Sequence, residues 1–177
     1  LAPLGVLVSI VPTQTPVDKP FANELRLSRS LDGGQTFLPS ALINDDGELV
    51  NHSFDSIRIG REGAIHVAWI DGRGGKKTSG TYVTRSNDHG ATFEKNTKID
   101  DETCVCCRTS VAVSPDGTVY VAWRKMFGDI RETVVARSFD EARRFPNRSS
   151  SATTAGSIQA VRIVRPHWAW TATAACM

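Results

Sequence analysis

The feature that most constrains this chain is a turn signature that recurs. Ser30-x-Asp32-x-Gly34-x-Thr36-Phe37 returns as Ser86-x-Asp88-x-Gly90-x-Thr92-Phe93, and a reduced third copy keeps Ser138, Asp140 and Phe145. The copies are 56 and 52 residues apart. Repeat families built from one four-stranded propeller blade have periods of roughly 40 to 50 residues, so this spacing points to radial repetition of small β-sheets and not to a helical solenoid.

A second repeat supports the first. Residues 56–69 match residues 110–123 at a constant offset of 54, and each copy reads strand, turn, strand. Ile57/Ile59 with Ile65/Val67/Trp69, and Val111/Val113 with Val119/Val121/Trp123, alternate at period two, which places their apolar side chains on one face. Gly63 and Pro115-Asp116-Gly117 supply the hairpin turns. Third strands are expected over 81–86 and 133–138, a matching one over 24–30, and a degenerate second strand over 6–11. The expectation is an all-β fold, an incomplete propeller of about two and a half to three four-stranded blades. The blade limits are 1–45, 46–99 and 100–145.

The repeated turn has a structural logic. An Asp carboxylate accepts bonds from nearby backbone N–H groups, Gly supplies positive φ, and the Ser and Thr hydroxyls close further local bonds. The Phe is expected to anchor the turn between sheets. Asp32 and Asp88 are therefore read as scaffold.

Hydrophobic residues make up 40% and charged residues 23% of the chain, enough to build a core. No apolar run approaches the ~18 residues of a membrane helix. Residues 1–12 lack a basic leader and a small-residue cleavage site, and read as a strand. The missing initiator Met is read as a sign of cutting or processing. Before Pro146, 18 basic residues face 19 acidic ones, without a basic cluster, so charge makes no case for nucleic acid or an anionic membrane.

Residues 146–177 break the pattern. They have no acidic residue, are rich in Ser, Thr and Ala, and carry neither blade pattern nor turn signature. The favoured reading is an out-of-frame translation of what once encoded the next blade; a disordered linker is the alternative.

The turn signatures, the Gly-x-hydrophobic-x-Val-Ala-Trp strands and the corner Trp69-Ile-Asp71-Gly-Arg73 resemble the bacterial sialidase or neuraminidase repeat proteins, whose turn is the Asp box. The resemblance covers residues 23–145. It implies a sialidase-like propeller of six or more blades in the complete family. Many members cleave terminal sialic acids, while others are non-catalytic receptors. It also favours an extracytoplasmic or secreted location. Such a site holds the substrate carboxylate on an arginine cluster, beside an acidic acid/base and a Tyr nucleophile activated by Glu. On strand parity, the links that hold the candidates lie at the opposite end of the sheets from the boxes. Asp71 and Arg108 are the candidate catalytic residues, and Arg73, Arg124 and Arg131 the candidate substrate contacts. The family's Arg-Ile-Pro element is missing, and Tyr82 and Tyr120 fall inside expected strands, so the full constellation is absent. Asp71 also reads as an ordinary Asp-Gly turn residue, and the arginines as surface residues.

Cys104, Cys106 and Cys107 are the least ordinary local feature. Soft-metal ligation is a weak reading, because Cys-x-Cys-Cys lacks the usual two-residue gap of zinc sites. A disulfide, formed with a cysteine of a missing blade, and plain loop-fixing thiols are the alternatives. No cofactor is expected. Asn51-His-Ser53 and Asn147-Arg-Ser149 are formal sequons of low specificity. Two functions remain: a sialidase-like glycoside hydrolase fragment, inactive alone, with a glycan as ligand of the full-length parent, or a non-catalytic module recognising glycan or protein. Open sheet edges would let the isolated chain self-associate.

Overall fold

The structure, a computed structural model, describes residues 7–12, 18, 21–73 and 79–146, with residues 7–12 as backbone only. The expectation for residues 147–177 lies outside the described residues. Among the described residues ten strands run in chain order: β1 (Leu7–Pro12), β2 (Leu25–Ser30), β3 (Ala41–Leu42), β4 (His52–Ile59), β5 (Ile65–Asp71), β6 (Gly80–Ser86), β7 (Thr97–Asp100), β8 (Ser110–Val113), β9 (Val119–Phe127) and β10 (Ile130–Ser138). They form three antiparallel sheets, β1-β2-β3, β4-β5-β6-β7 and β8-β9-β10. Each joins chain neighbours as a meander, so no crossover is needed. The sheets are those of an incomplete β-propeller, as the repeats predict.

The sheets stack through two apolar layers. Leu25, Leu27 and Ile43 of the first sheet pack with Ile65, Val67, Trp69 and Tyr82 of the second. Ala68 and Val83, on the other face of the second sheet, pack with Val111, Val119, Val121 and Trp123 of the third. Ile65, Val67 and Trp69 share one face, as the alternation predicts, but the opposite face is covered as well: all seven residues of both β5 and β6 are buried. A sheet held between two others has no solvent face, whatever its alternation suggests. Ile59 departs from the pattern. It ends β4 beside the turn and is 47% exposed.

The second and third sheets meet along their first strands, β4 and β8. Thr109 N–H and Oγ1 both donate to the Phe54 carbonyl, at 3.3 and 2.7 Å, and Val111 N–H donates to Ser56 Oγ at 3.1 Å.

The three boxes share one geometry. In the first, Ser30 Oγ donates to Asp32 Oδ1 at 2.7 Å and accepts Gly34 N–H at 2.8 Å. Asp32 then accepts Thr36 N–H at 2.9 Å and Thr36 Oγ1 at 2.5 Å. The second box repeats these bonds through Ser86, Asp88, Gly90 and Thr92. The third, without Gly or Thr, loses the hydroxyl bond to its Asp but keeps the others: Ser138 Oγ donates to Asp140 Oδ1 at 2.7 Å, Ala142 N–H to Ser138 Oγ at 2.9 Å, and Arg144 N–H to Asp140 Oδ1 at 2.8 Å. Its backbone still turns through positive φ, at Glu141 (58°) and Ala142 (70°), a conformation L-residues adopt at some cost. The Thr36 hydroxyl first, then Ser30 and the Thr36 N–H, hold the Asp32 carboxyl well below the usual range. Partial burial works against Asp88 and Asp140, but the same local donors outweigh it and lower both.

The anchoring between sheets expected of the box phenylalanines holds at the second and third boxes. Phe145 is buried against the second sheet, and Phe93 packs on the layer shared with the first. Each therefore anchors backward, onto the sheet before its own. Phe37 belongs to the first described sheet and is 51% exposed.

Candidate functional site

The box turns, the β4–β5 turn and the β8–β9 turn share one end of the sheets; the His89 ring lies so close to Gly63 that a Cβ there would meet it at 2.4 Å. The opposite end carries the links 43–51 and 101–109, the described residues 72, 73 and 79 between β5 and β6, and the β9–β10 turn. All five sequence-derived site residues lie toward that end, but they do not form one cluster.

Asp71 ends β5 and is fully buried. Its Oδ1 accepts Arg73 N–H at 2.8 Å, and its Oδ2 accepts Trp69 Nε1–H at 2.8 Å and Arg73 Nε–H at 2.9 Å. Arg73 also donates to Asp45 Oδ1 at 2.6 Å and to Asn96 Oδ1 at 2.9 Å, and its guanidinium lies 4.4 Å from the centre of the Tyr82 ring. Burial opposes the charge on Arg73, yet the bonds to Asp71 and Asp45 raise its pKa further above the ordinary value. Burial pushes the Tyr82 phenol up, and the neighbouring Lys98 and Arg73 work against that.

Sequence reasoning missed the other half of this network. His52 opens β4, is buried, and sits opposite Asp71. Counting outward along the β4–β5 hairpin from the pair Ile59–Ile65 would place it opposite Gly72. The register slips by one between Ser53 and Ser56, beside Phe54 at φ 54°, and so brings Asp71 to His52. The Thr109 bonds to Phe54 hold that bulge. His52 Nε2 is 3.1 Å from Asp46 Oδ2 and 3.6 Å from Asp71 Oδ2, and its Nδ1 is 2.5 Å from the Asn23 carbonyl. Asn23 closes the joint from the first sheet, donating to the His52 carbonyl at 2.6 Å and accepting its N–H at 2.9 Å. Burial opposes the charge on Asp46, but the Asn44 bond, His52 and Arg73 outweigh it and lower its pKa. The one sequence signal was a His six residues after Asp45-Asp46, and a bulge is not readable from alternation.

The third sheet repeats the indole–carboxylate contact with different residues. Trp123 Nε1–H donates to Asp100 Oδ2 at 2.6 Å, and Lys125 pairs with the same carboxylate. Lys125 stands where the repeat offset places Asp71, so the carboxylate comes instead from β7 of the sheet before. Arg124 and Arg131 meet at this end of the third sheet, where Arg124 Nη2–H donates to the Arg131 carbonyl at 2.9 Å. Arg131 and Arg108 are exposed and Arg124 is half-buried. Cys104 and Cys107 form a disulfide within their own loop, not to a distant blade, and Cys106 Sγ lies 3.5 Å from Cys104 Sγ. Cys104 N–H donates to the Arg124 carbonyl at 2.8 Å, which ties the loop to β9.

No protein-family model matches the chain, and no curated protein matches it. Solved structures do. Hadza microbial sialidase Hz136 superposes with a TM-score of 0.58 at 20% identity, covering 78% of this chain and 34% of its own. A protein of unknown function from Dyadobacter fermentans gives a TM-score of 0.51 at 19% identity, covering 77% of this chain and 44% of its own. The NanB sialidase of Streptococcus pneumoniae gives 0.48 at 20% identity, covering 73% of this chain and 19% of its own. The fold is therefore sialidase-like, and the chain spans a third to under half the length of the first two.

Proposed function

We propose that this chain is part of a sialidase-like glycoside hydrolase, an exo-α-sialidase in type, and contributes to a sugar-binding face at the end of the sheets opposite the boxes. The observation that carries this reading is the display of Arg108, Arg124 and Arg131 at that end of a sialidase-like fold, where guanidinium groups suit the carboxylate of a sugar acid. In this reading Asp71, as acid/base, and Arg108 are the catalytic residues, and Arg73, Arg124 and Arg131 contact the substrate. Each sheet is one blade, with limits at 1–45, 46–99 and 100–145. Sheets with open edges close no central pocket, so the isolated chain is expected to be inactive and to self-associate.

One observation favours a non-catalytic glycan- or protein-binding module instead. Asp71 is fully buried with both oxygens engaged, and Tyr82 lies in the layer between sheets under Arg73. An acid/base must be able to reach its substrate. Hydrolysis of a fluorogenic sialoside by the full-length protein, abolished by Arg108→Ala, would support the enzyme. Retained glycan binding without turnover would support the module.

A further inference from the structure

The faces that join one sheet to the next repeat along the chain, and the repeat runs on past the last joint. In the second sheet, strand pairing sets Ser56, Ala68 and Val83 in one row, with Arg85 on the same face. All four serve the joint with the third sheet. Ser56 Oγ accepts Val111 N–H at 3.1 Å, the Ala68 carbonyl accepts Thr109 Oγ1–H at 3.1 Å, and Ala68 and Val83 lie in the apolar layer. Arg85 Nη1–H donates to the Glu141 carbonyl of the third box at 3.4 Å. In the third sheet, pairing sets Ser110, Ala122 and Val135 in the same row, with Arg137 in the place of Arg85. The four residue types are identical, but this face points away from the second sheet, and Ser110 and Arg137 are exposed. An Ala at the centre of a strand is a poor choice for a solvated sheet and a good one for the close approach of another.

The joints also share their rim. Arg29, Arg85 and Arg137 each stand directly before a box serine. Arg29 Nη1–H reaches the Asp88 carbonyl of the second box at 3.3 Å, as Arg85 reaches the third. Each sheet thus reaches forward to the box of the next, and Phe93 and Phe145 reach back. Among the described residues two half-joints are left. The outer face of the third sheet has the row and Arg137, whose guanidinium lies 4.9 Å from the centre of the Phe139 ring. The first sheet has a box, with Phe37 exposed, and an exposed Leu42 that pairs with Arg26 on the face away from Leu27. We propose that these half-joints meet between two copies of this chain: the third sheet of one copy docks on the first sheet of the next, with Arg137 at the first box and Phe37 against Ala122 and Val135. The contact joins unlike surfaces, so it propagates from copy to copy until a ring closes. It is made through sheet faces and not strand edges, and it does not depend on the glycan reading.

The test is sedimentation of the 177-residue chain over a range of concentrations. Reversible association in the micromolar range is expected. Arg137→Glu removes the forward contact and Phe37→Asp the backward one, so each variant alone should bind itself at least about tenfold more weakly. Both side chains are exposed, so neither change should unfold the chain, and circular dichroism checks this. Ala122→Arg is a second block on the third-sheet side. An equal mixture of the Arg137→Glu and Phe37→Asp chains should associate again, in one-to-one pairs, because an intact third sheet then meets an intact first sheet. A chain that stays monomeric at every concentration overturns the proposal. Association that none of the three variants weakens also overturns it, and would be pairing through strand edges. A mixture no stronger than its components overturns it too, since the contact would then join like with like.

Discussion

The second and third sheets carry the same repeat, 54 residues apart, and yet they are buried differently. Along β5 every residue is buried, whereas β9 alternates Val119, Val121 and Trp123 inward with Tyr120 outward. The sequence pattern of a blade selects its strands and its turn. Burial of the second face is decided by what stands on that side, and among the described residues only the second sheet has a sheet on each. The Trp–carboxylate contacts show the same thing in chemistry: Trp69 finds its acid two residues along its own strand, while Trp123 reaches across to the preceding sheet.

The largest expected effect comes from truncating the two indoles. Trp69→Ala should cost about 3–5 kcal/mol, because the side chain fills the first layer, stacks on Tyr82 and gives buried Asp71 one of its hydrogen bonds. Trp123→Ala should fall at the low end of that range. Denaturant unfolding measures both, and a larger loss for Trp123 would break the comparison.

Glycine positions test how tightly the layers close. Gly90 has φ 84°, and a Cβ there would meet Leu27 Cδ2 at 2.8 Å and Ile65 Cδ1 at 3.2 Å, so Gly90→Ala should cost about 2–3 kcal/mol. Gly33 has φ 75° with open space around it, and Gly33→Ala should cost only about 1 kcal/mol. Equal losses in urea midpoint would show that packing between the sheets adds nothing at the turn.

Two acid steps should follow from the titrating groups. Burial first, then the Arg85 charge, lowers the pKa of His66 from 6.5. The unfolded chain then takes up a proton that the folded one refuses, so this stabilisation is present above pH 6.5 and is lost as pH falls toward the folded value. The box carboxylates Asp32, Asp88 and Asp140 are also lowered, so their share is present above pH 3.8 and is lost below it. Stability measured from pH 8 to 3 should drop in both windows, and His66→Gln should remove only the upper one. A single drop below pH 4 in the unaltered protein would count against the lowered His66.

The smallest effect is expected at the rim between these sheets. Arg85 pairs with Glu94 at 2.9 Å and with Glu141, whose side chain is 52% exposed. The Arg85 bond lowers the Glu141 pKa, but solvent screening should hold the loss in Glu141→Gln to about 0.5 kcal/mol. A loss several times larger would make the rim, and not the apolar layer, the main tie.

Much of the fold was legible in the residues because its signals are local. A Ser, an Asp and a Gly within five positions make their own turn, and period-two runs on either side make their own hairpins. The third box was legible only as a remnant, since its Ala142 and Arg144 hide a turn that backbone N–H groups still complete. The candidate site was half legible. Asp71, Arg73, Arg108, Arg124 and Arg131 are placed at one end by strand parity, but parity cannot say which touch. That Arg73 turns inward to Asp45 and Asn96, while Arg131 stays exposed, depends on which sheet stands beside each.

What the sequence determined by itself is therefore the repeating unit: all-β strands and the box turns between them. These depend on residues a few positions apart. Tertiary structure alone decided which faces are covered, the one-residue slip that sets His52 against Asp71, and the carboxylate that crosses from one sheet to the next Trp. Those are contacts between residues 19 or more positions apart, whose geometry no local pattern carries.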